Sequence, residues 1–322
     1  MEKINRLSIK SKAIEVLKNQ SILLILIGII IIFSLTVPTF FNSRNLLNIV
    51  KQISIIGIIA SGFTLVLING DIDLSVGSLF SLTGVIVISL QQKGLFISII
   101  VTILVAALVG FINGFISTKF NLPSIIVTLG MLSILEGSAL IYTKGYNLLG
   151  DPKSLYSIIS KGSIFNIPNN IIIFIVVVCI IGFILHKTVF GRNIYLIGTN
   201  SEASRIAGIK VNKVRIIAFI ICSICVAISS ILQSSRISSA SPVAGIGFEF
   251  DAITVVLVGG TSFFGGKGSI YNTILGTLII AILINGMILF GLPFAFQFIL
   301  KGSLILLAIF IDVKARLKFG RS

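Results

Sequence analysis

Long apolar runs separated by short polar breaks set the pattern of the chain. They recur from Ile22 to Val37, Ile53 to Ile68, Ile97 to Ile116, Ile171 to Leu185, Ile216 to Leu232, Ile270 to Phe290 and Phe294 to Ile311. A membrane-spanning helix needs roughly 20 mostly apolar residues, and these runs approach that length. None alternates apolar and polar residues as a barrel strand does. In hydrocarbon every backbone N–H and C=O must pair inside the protein, so such runs predict helices and not an open sheet. Shorter, interrupted runs raise the expected count to about ten spans. The predicted spans are 21–38, 48–68, Leu74 to before Lys93, 95–118, 123–143, 170–186, one ending near Leu232, 248–260, 269–290 and 294–312. The fold class is therefore an all-α polytopic membrane protein with some of its helices broken.

Composition agrees, with 56% hydrophobic and 11% charged residues, too apolar for a soluble domain. The net charge of +15 would suggest nucleic acid in a soluble protein, but here the charges flank apolar segments. They report orientation, and no nucleic-acid partner is expected. Lys3, Arg6, Lys10, Lys12 and Lys18 precede the first span, and Lys314, Arg316, Lys318 and Arg321 follow the last. Both ends are thus expected in the cytoplasm, which requires an even number of spans. The most basic internal stretch runs from Lys187 to Arg215 and is placed on the same side. In this arrangement 17 of the 25 Lys and Arg lie inside. The expected organisation is a cytoplasmic tail at 1–20, a transmembrane domain at 21–312 with a cytoplasmic loop near 187–215, and a cytoplasmic tail at 313–322. The N-terminal tail lacks a small-residue cleavage site, so the first run is read as a retained span.

Charge near hydrocarbon needs a reason, and Asp71, Asp73, Glu136, Arg236, Glu249, Asp251 and Lys301 all stand there. Asp71 and Asp73 follow Gly70, and Glu249 and Asp251 follow Gly247, each pair at an interrupted span. Broken helices at matching places in two halves mark transporter pathways, which suggests a weak repeat of spans two to five and seven to ten. The same acids would equally serve as helix N-terminal caps. His186, the only histidine, falls at a helix end beside Lys187, where a cation complements the helix dipole. Cys179, Cys222 and Cys225 lie inside apolar runs and read as small core residues. No nucleophile, base or metal set assembles, which argues against an enzyme. The stretch from Gly260 to Lys267 fails as a phosphate loop, because Thr261 stands at the first glycine position and Gly268 follows the lysine. No cofactor is expected in this chain, and any ATP must be bound and hydrolysed by a separate subunit.

Gly70-Asp-Ile-Asp-Leu-Ser-Val-Gly-Ser78, Asn113-Gly114, Pro123 to Gly130, Gly191 to Val211 and Gly247 to Ser269 resemble, in order and over nearly the whole chain, the ribose-type inner-membrane permeases of bacterial ABC importers. The strongest parts are Asp71 to Ser78 and Phe248-Glu-Phe-Asp-Ala252 followed by Gly259-Gly-Thr-Ser262 and Gly265-Gly-Lys-Gly-Ser269. The resemblance implies a permease paired with a second copy, identical or not, in the lipid of the inner membrane. It would bind ABC ATPase subunits on the cytoplasmic side and receive a simple sugar from an extracytoplasmic binding protein. It places Asp71, Asp73, Ser75, Asn113, Thr128, Glu249 and Asp251 at the pathway or its helix breaks. It also marks Asn200, Glu202, Ala203, Gly208 and Ile209 as a short helix docking into the ATPase; on residues alone that stretch is polar, helix-capable and ended by a glycine. With 24 Phe and no Trp, the pathway is expected to have apolar walls and to leave selectivity to the binding protein. A nucleoside ABC permease and an ion-coupled secondary transporter share the bulk features and stay open as alternatives.

Overall fold

The computed structural model describes residues 21–165 and 167–318. The expected N-terminal tail and the last four residues of the expected C-terminal tail lie outside them. Thirteen α-helices are described: α1 (Ser21–Thr36), α2 (Ser43–Ile68), α3 (Val76–Leu90), α4 (Leu95–Lys119), α5 (Ser124–Thr143), α6 (Leu155–Lys161), α7 (Asn169–Lys187), α8 (Val189–Thr199), α9 (Ser201–Ile206), α10 (Val211–Ile237), α11 (Phe248–Val258), α12 (Ile270–Leu289) and α13 (Ala295–Lys318). The only strand pairings among the described residues are two-residue contacts, Leu148–Leu149 with Ser239–Ala240 and Ser163–Ile164 with Ile167–Pro168.

Seven helices, α2, α4, α5, α7, α10, α12 and α13, are long and apolar enough to cross a membrane. The three other predicted spans fall on shorter helices among the described residues, α1 with 16 residues, α3 with 15 and α11 with 11. The last two are short because each begins after an unwound segment, at 69–75 and 238–247. Helix α10 also runs five residues beyond the predicted end at Leu232. Its polar tail of Gln233, Ser234, Ser235 and Arg236 is helical and largely packed inside, where hydropathy alone had placed an external loop. The segment 144–168 holds α6, and the basic loop at 187–215 holds α8 and α9.

Apolar helices in lipid gain little by hiding from one another, so close packing and interhelical hydrogen bonds must hold them. Helix α10 is the central post. Ser229 Oγ donates to the Ile55 carbonyl of α2 (2.8 Å) and Ser230 Oγ to the Phe80 carbonyl of α3 (2.6 Å). Gly110 and Gly114 let α4 press its backbone on α10: a Cβ at Gly114 would lie 2.7 Å from Ile216 Cα. Cys222 and Cys225 pack against Gly62 of α2 in the same way, which explains the C-x-x-C spacing as a packing face. Asn45 of α2 and Asn285 of α12 exchange two amide bonds, at 3.1 and 2.8 Å.

Two ends of the bundle matter for the site. At one, the C-terminus of α2 meets α8, the start of α10, the Gly-rich turn 259–268 and the C-terminus of α13. At the other, the N-termini of α2, α11 and α13 meet the C-termini of α10 and α12.

Candidate functional site

Each helix break turns on a glycine in the left-handed region, Gly70 at φ 88° and Gly247 at φ 89°. A side chain there would be strained, so both glycines are required where the chain leaves the helix and re-enters it. The first break is held from every side. The Asp71 N–H donates to the Val66 carbonyl (3.0 Å), Ile72 N–H to Ser124 Oγ (3.0 Å) and Leu74 N–H to Thr128 Oγ1 (3.0 Å). Asp73 Oδ1 accepts from the Ser75 amide (2.9 Å) and hydroxyl (2.6 Å), and Asn113 Nδ2 donates to Ser75 Oγ (2.9 Å). Asp73, Ser75 and Asn113 therefore form a buried side-chain network, while Ser124 and Thr128 take up the unwound backbone amides of Ile72 and Leu74.

The four acids divide by role. Asp73 and Glu249 act locally, Glu249 accepting from the Gly247 amide at 3.2 Å. Asp71 and Asp251 reach distant cations. Arg215, in the first turn of α10, holds Asp71 with two nitrogens, one of them at 2.8 Å, and Lys301 of α13 lies 2.6 Å from Asp251. The side chains of Asp251 and Lys301 are each only 5% exposed. Sequence reasoning flagged Asp71, Asp251 and Lys301 but paired neither acid; the signal was that an intramembrane charge demands a counter-charge.

The second break also meets the first turn of α3. Gly77, two residues past Ser75, lies against the Gly245 carbonyl and the Glu249 carboxylate, and Gly245 lies against the Gly77 carbonyl, so closely that neither position admits a Cβ. The Gly245 amide donates to Ser81 Oγ at 2.8 Å.

A cavity of about 300 Å³ opens at the end where α11 and α13 begin. Asn48 and Gln52 of α2, Gln233 and Arg236 of α10, Asp251 of α11, and Gln297 and Lys301 of α13 supply its polar lining, beside Phe248 and Phe294. Its apolar walls are Ile55, Ile56, Ile246, Phe248, Ile284 and Phe294, and the amide side chains interrupt them. Among the predicted pathway residues Asp251 lines this cavity; Glu249 lines a second of about 100 Å³ with Ser78, Ser81 and Glu136. Gln52, Gln233 and Gln297 were missed because each sits near the end of an apolar run and reads as its polar border.

At the opposite end α9 stands out from the bundle. Asn200 Oδ1 caps it by accepting from the Ala203 amide (2.9 Å), and Glu202 pairs with Arg205 at 3.2 Å on its surface. Gly208 at φ 84° ends it, with the Ile209 amide returning to the Ser204 carbonyl (3.0 Å). Ile206, 82% exposed, crowns its outer face. The preceding helix α8 is fixed to the bundle: Gly198 abuts the Ile68 carbonyl, where α2 ends, and the Gly266 amide donates to that same carbonyl (2.8 Å). Tyr195 donates to the Gly268 carbonyl (2.7 Å), and partial burial pushes its phenol pKa up. The Gly-rich turn that failed as a phosphate loop is a joint between α2, α8 and α13. Asp312 accepts there from Ser262 Oγ (2.8 Å) and the Phe263 amide (3.1 Å). Among the described residues no three His, Cys, Asp or Glu side chains gather as a metal site.

Broken helices joined by buried ion pairs, with a polar cavity at one end and an exposed helix at the other, define a membrane permease. The family model described as the permease component of branched-chain amino acid transport systems matches residues 45–309, and the chain belongs to that family. It is similar to the ribose import permease protein RbsC of Escherichia coli K12, 37% identical over 92% of this chain and 94% of that protein. The RbsC of Bacillus subtilis 168 is 38% identical over 89% and 90%, and the xylose transport system permease XylH of Haemophilus influenzae is 32% identical over 93% and 98%. No solved structure matches. The chain is accordingly a multi-pass transport subunit of the cytoplasmic membrane and not an enzyme.

Proposed function

We propose that the chain is the translocation subunit of an ATP-driven importer for a simple, ribose-like sugar delivered by an extracytoplasmic binding protein. The observation that carries this reading is the similarity to ribose import permeases along about nine-tenths of the chain. The family description names branched-chain amino acids, but the similar permeases carry the names of ribose, arabinose and xylose, which supports the sugar branch. The amides and Arg236 of the cavity are suited to hydroxyl groups.

In this reading α1, α3 and α11 join the seven long helices to give ten passes, with both termini inside. Lysines and arginines at 187–215 and beyond Asp312 put the end carrying α9 in the cytoplasm. The cavity then opens outward. The halves α2–α5 and α10–α13 form a repeat, each a long helix, a break at a left-handed glycine with two acids, a short helix and two further long ones. Helix α9 docks into an ATPase subunit, which alone binds ATP, and a second permease copy completes the pathway within the lipid. Arg215 follows α9 by nine residues and grips Asp71 in the break, so a push on α9 reaches the broken helices through one ion pair and the joint between Gly198 and Ile68. Access alternates without covalent chemistry on the sugar.

The test is copurification with the partner ATPase and binding protein, followed by uptake of labelled sugars into proteoliposomes. ATP-dependent accumulation of a monosaccharide supports the reading. A nucleoside as the accumulated substrate, or uptake abolished by a protonophore at constant ATP, would replace it with one of the rival transporters.

A further inference from the structure

We infer that the outer cavity is a binding station for one monosaccharide, built inside a single protomer, with Arg236 and Gln233 as its hydrogen-bonding centre. The inference rests on the sugar reading and adds to it a place and a size.

Size comes first. At about 300 Å³ the cavity stands at the small end of the roughly 300–1,000 Å³ typical of small-molecule sites, which favours one sugar ring over a glycoside. Chemistry comes second. A hydroxyl both donates and accepts, and so does a carboxamide; Gln52, Gln233 and Gln297 offer that pairing from three different helices. The guanidinium fork of Arg236 matches two neighbouring oxygens. Phe248 and Phe294 give the C–H face of a ring something to lie on.

Two polar atoms here lack a partner among the described residues. Gln233 Oε1 and Arg236 Nε are buried and make no hydrogen bond. Both residues line the cavity, so the hydroxyls of a ligand seated there would complete their hydrogen bonding. Lys301 is already neutralised by Asp251, while no carboxylate among the described residues forms an ion pair with Arg236. Its charge is available as a donor to the ligand.

The experiment uses the complete importer in nanodiscs and proteoliposomes, with D-ribose as the neutral probe and D-ribonate as its acid. Saturation-transfer NMR should show D-ribose contact with the permease and ATPase complex without binding protein, lost in Gln233→Leu and Arg236→Ala. In uptake driven by saturating loaded binding protein, Gln233→Leu should lower the maximal rate by roughly tenfold, the scale of one lost hydrogen bond. The concentration of binding protein giving half-maximal uptake should not move, which separates a ligand role from a docking defect. Gln52→Leu, on another helix, repeats the test should an α10 variant fail to assemble. Wild-type uptake rates in assembled variants would overturn the station and leave the sugar reading intact, as would contact with D-ribonate alone. Failure of the wild-type importer to move any monosaccharide would overturn the sugar reading itself.

Discussion

Arg215 and Asp71 are 144 residues apart and meet in a two-point ion pair, with Nε 2.8 Å from Oδ2 and Nη2 on Oδ1. Asp71 is 2% exposed, and its carboxylate is held by this pair and by Asn69 Nδ2, which donates to Oδ2 at 3.2 Å. Removing one partner from such a buried pair typically costs about 3–5 kcal/mol. Asp71→Asn should therefore lower the thermal unfolding midpoint of the purified permease sharply, and Arg215→Lys should lower it too, because an ammonium cannot make the fork. The double variant Asp71→Asn with Arg215→Gln should be more stable than Asp71→Asn alone. An unchanged midpoint in Asp71→Asn would refute the pair's structural role.

Thr128 offers a milder test of the same break. Thr128→Val keeps the shape but strands the Leu74 amide, at a cost of about 1–3 kcal/mol for a buried unpaired group. Thr128→Ser keeps the hydroxyl and should behave like the parent. Unfolding of the three proteins side by side checks this, and equal midpoints for the Val and Ser variants would contradict it.

Gly198 should tolerate nothing larger. A Cβ would enter the carbonyl of Ile68, which already accepts from the Gly266 amide. Gly198→Ala should permit membrane insertion yet reduce the sugar moved per ATP hydrolysed, measured on one proteoliposome sample. An unchanged ratio would remove this joint from the transmission route.

Glu202 and Gly208 should act together at the docking helix. A side chain at Gly208, with φ at 84°, costs about 1–2 kcal/mol of backbone strain and loosens the end of α9. Glu202→Ala with Gly208→Val should uncouple ATP hydrolysis from uptake. Retained sugar-stimulated transport would sink the assignment of α9.

Much of this was legible in the chain. Period-free apolar runs exposed the long helices, glycine beside paired acids exposed both breaks, and Asn200 with Gly208 bracketed α9 to within two residues. Helix α10 shows what was not legible: it ends in Gln-Ser-Ser-Arg-Ile, polar by composition, and only the bonds of Ser234 and Ser235 to α6 and the cavity lined by Gln233 and Arg236 reveal that these side chains face inward. The partners of Asp71 and Asp251 were equally hidden, since pairing across 144 residues is a property of topology and leaves no local spacing. The glycines at 77 and 245 read as ordinary small residues until the structure sets them face to face.

That contact has a mechanical meaning. Main chain against main chain contains no rotamer to turn and no flexible side chain to compress, so α3 at Gly77 and the unwound segment at Gly245, just before α11, are held at a fixed spacing. A side chain at either glycine would force the two halves apart at the point where the second break crosses α3.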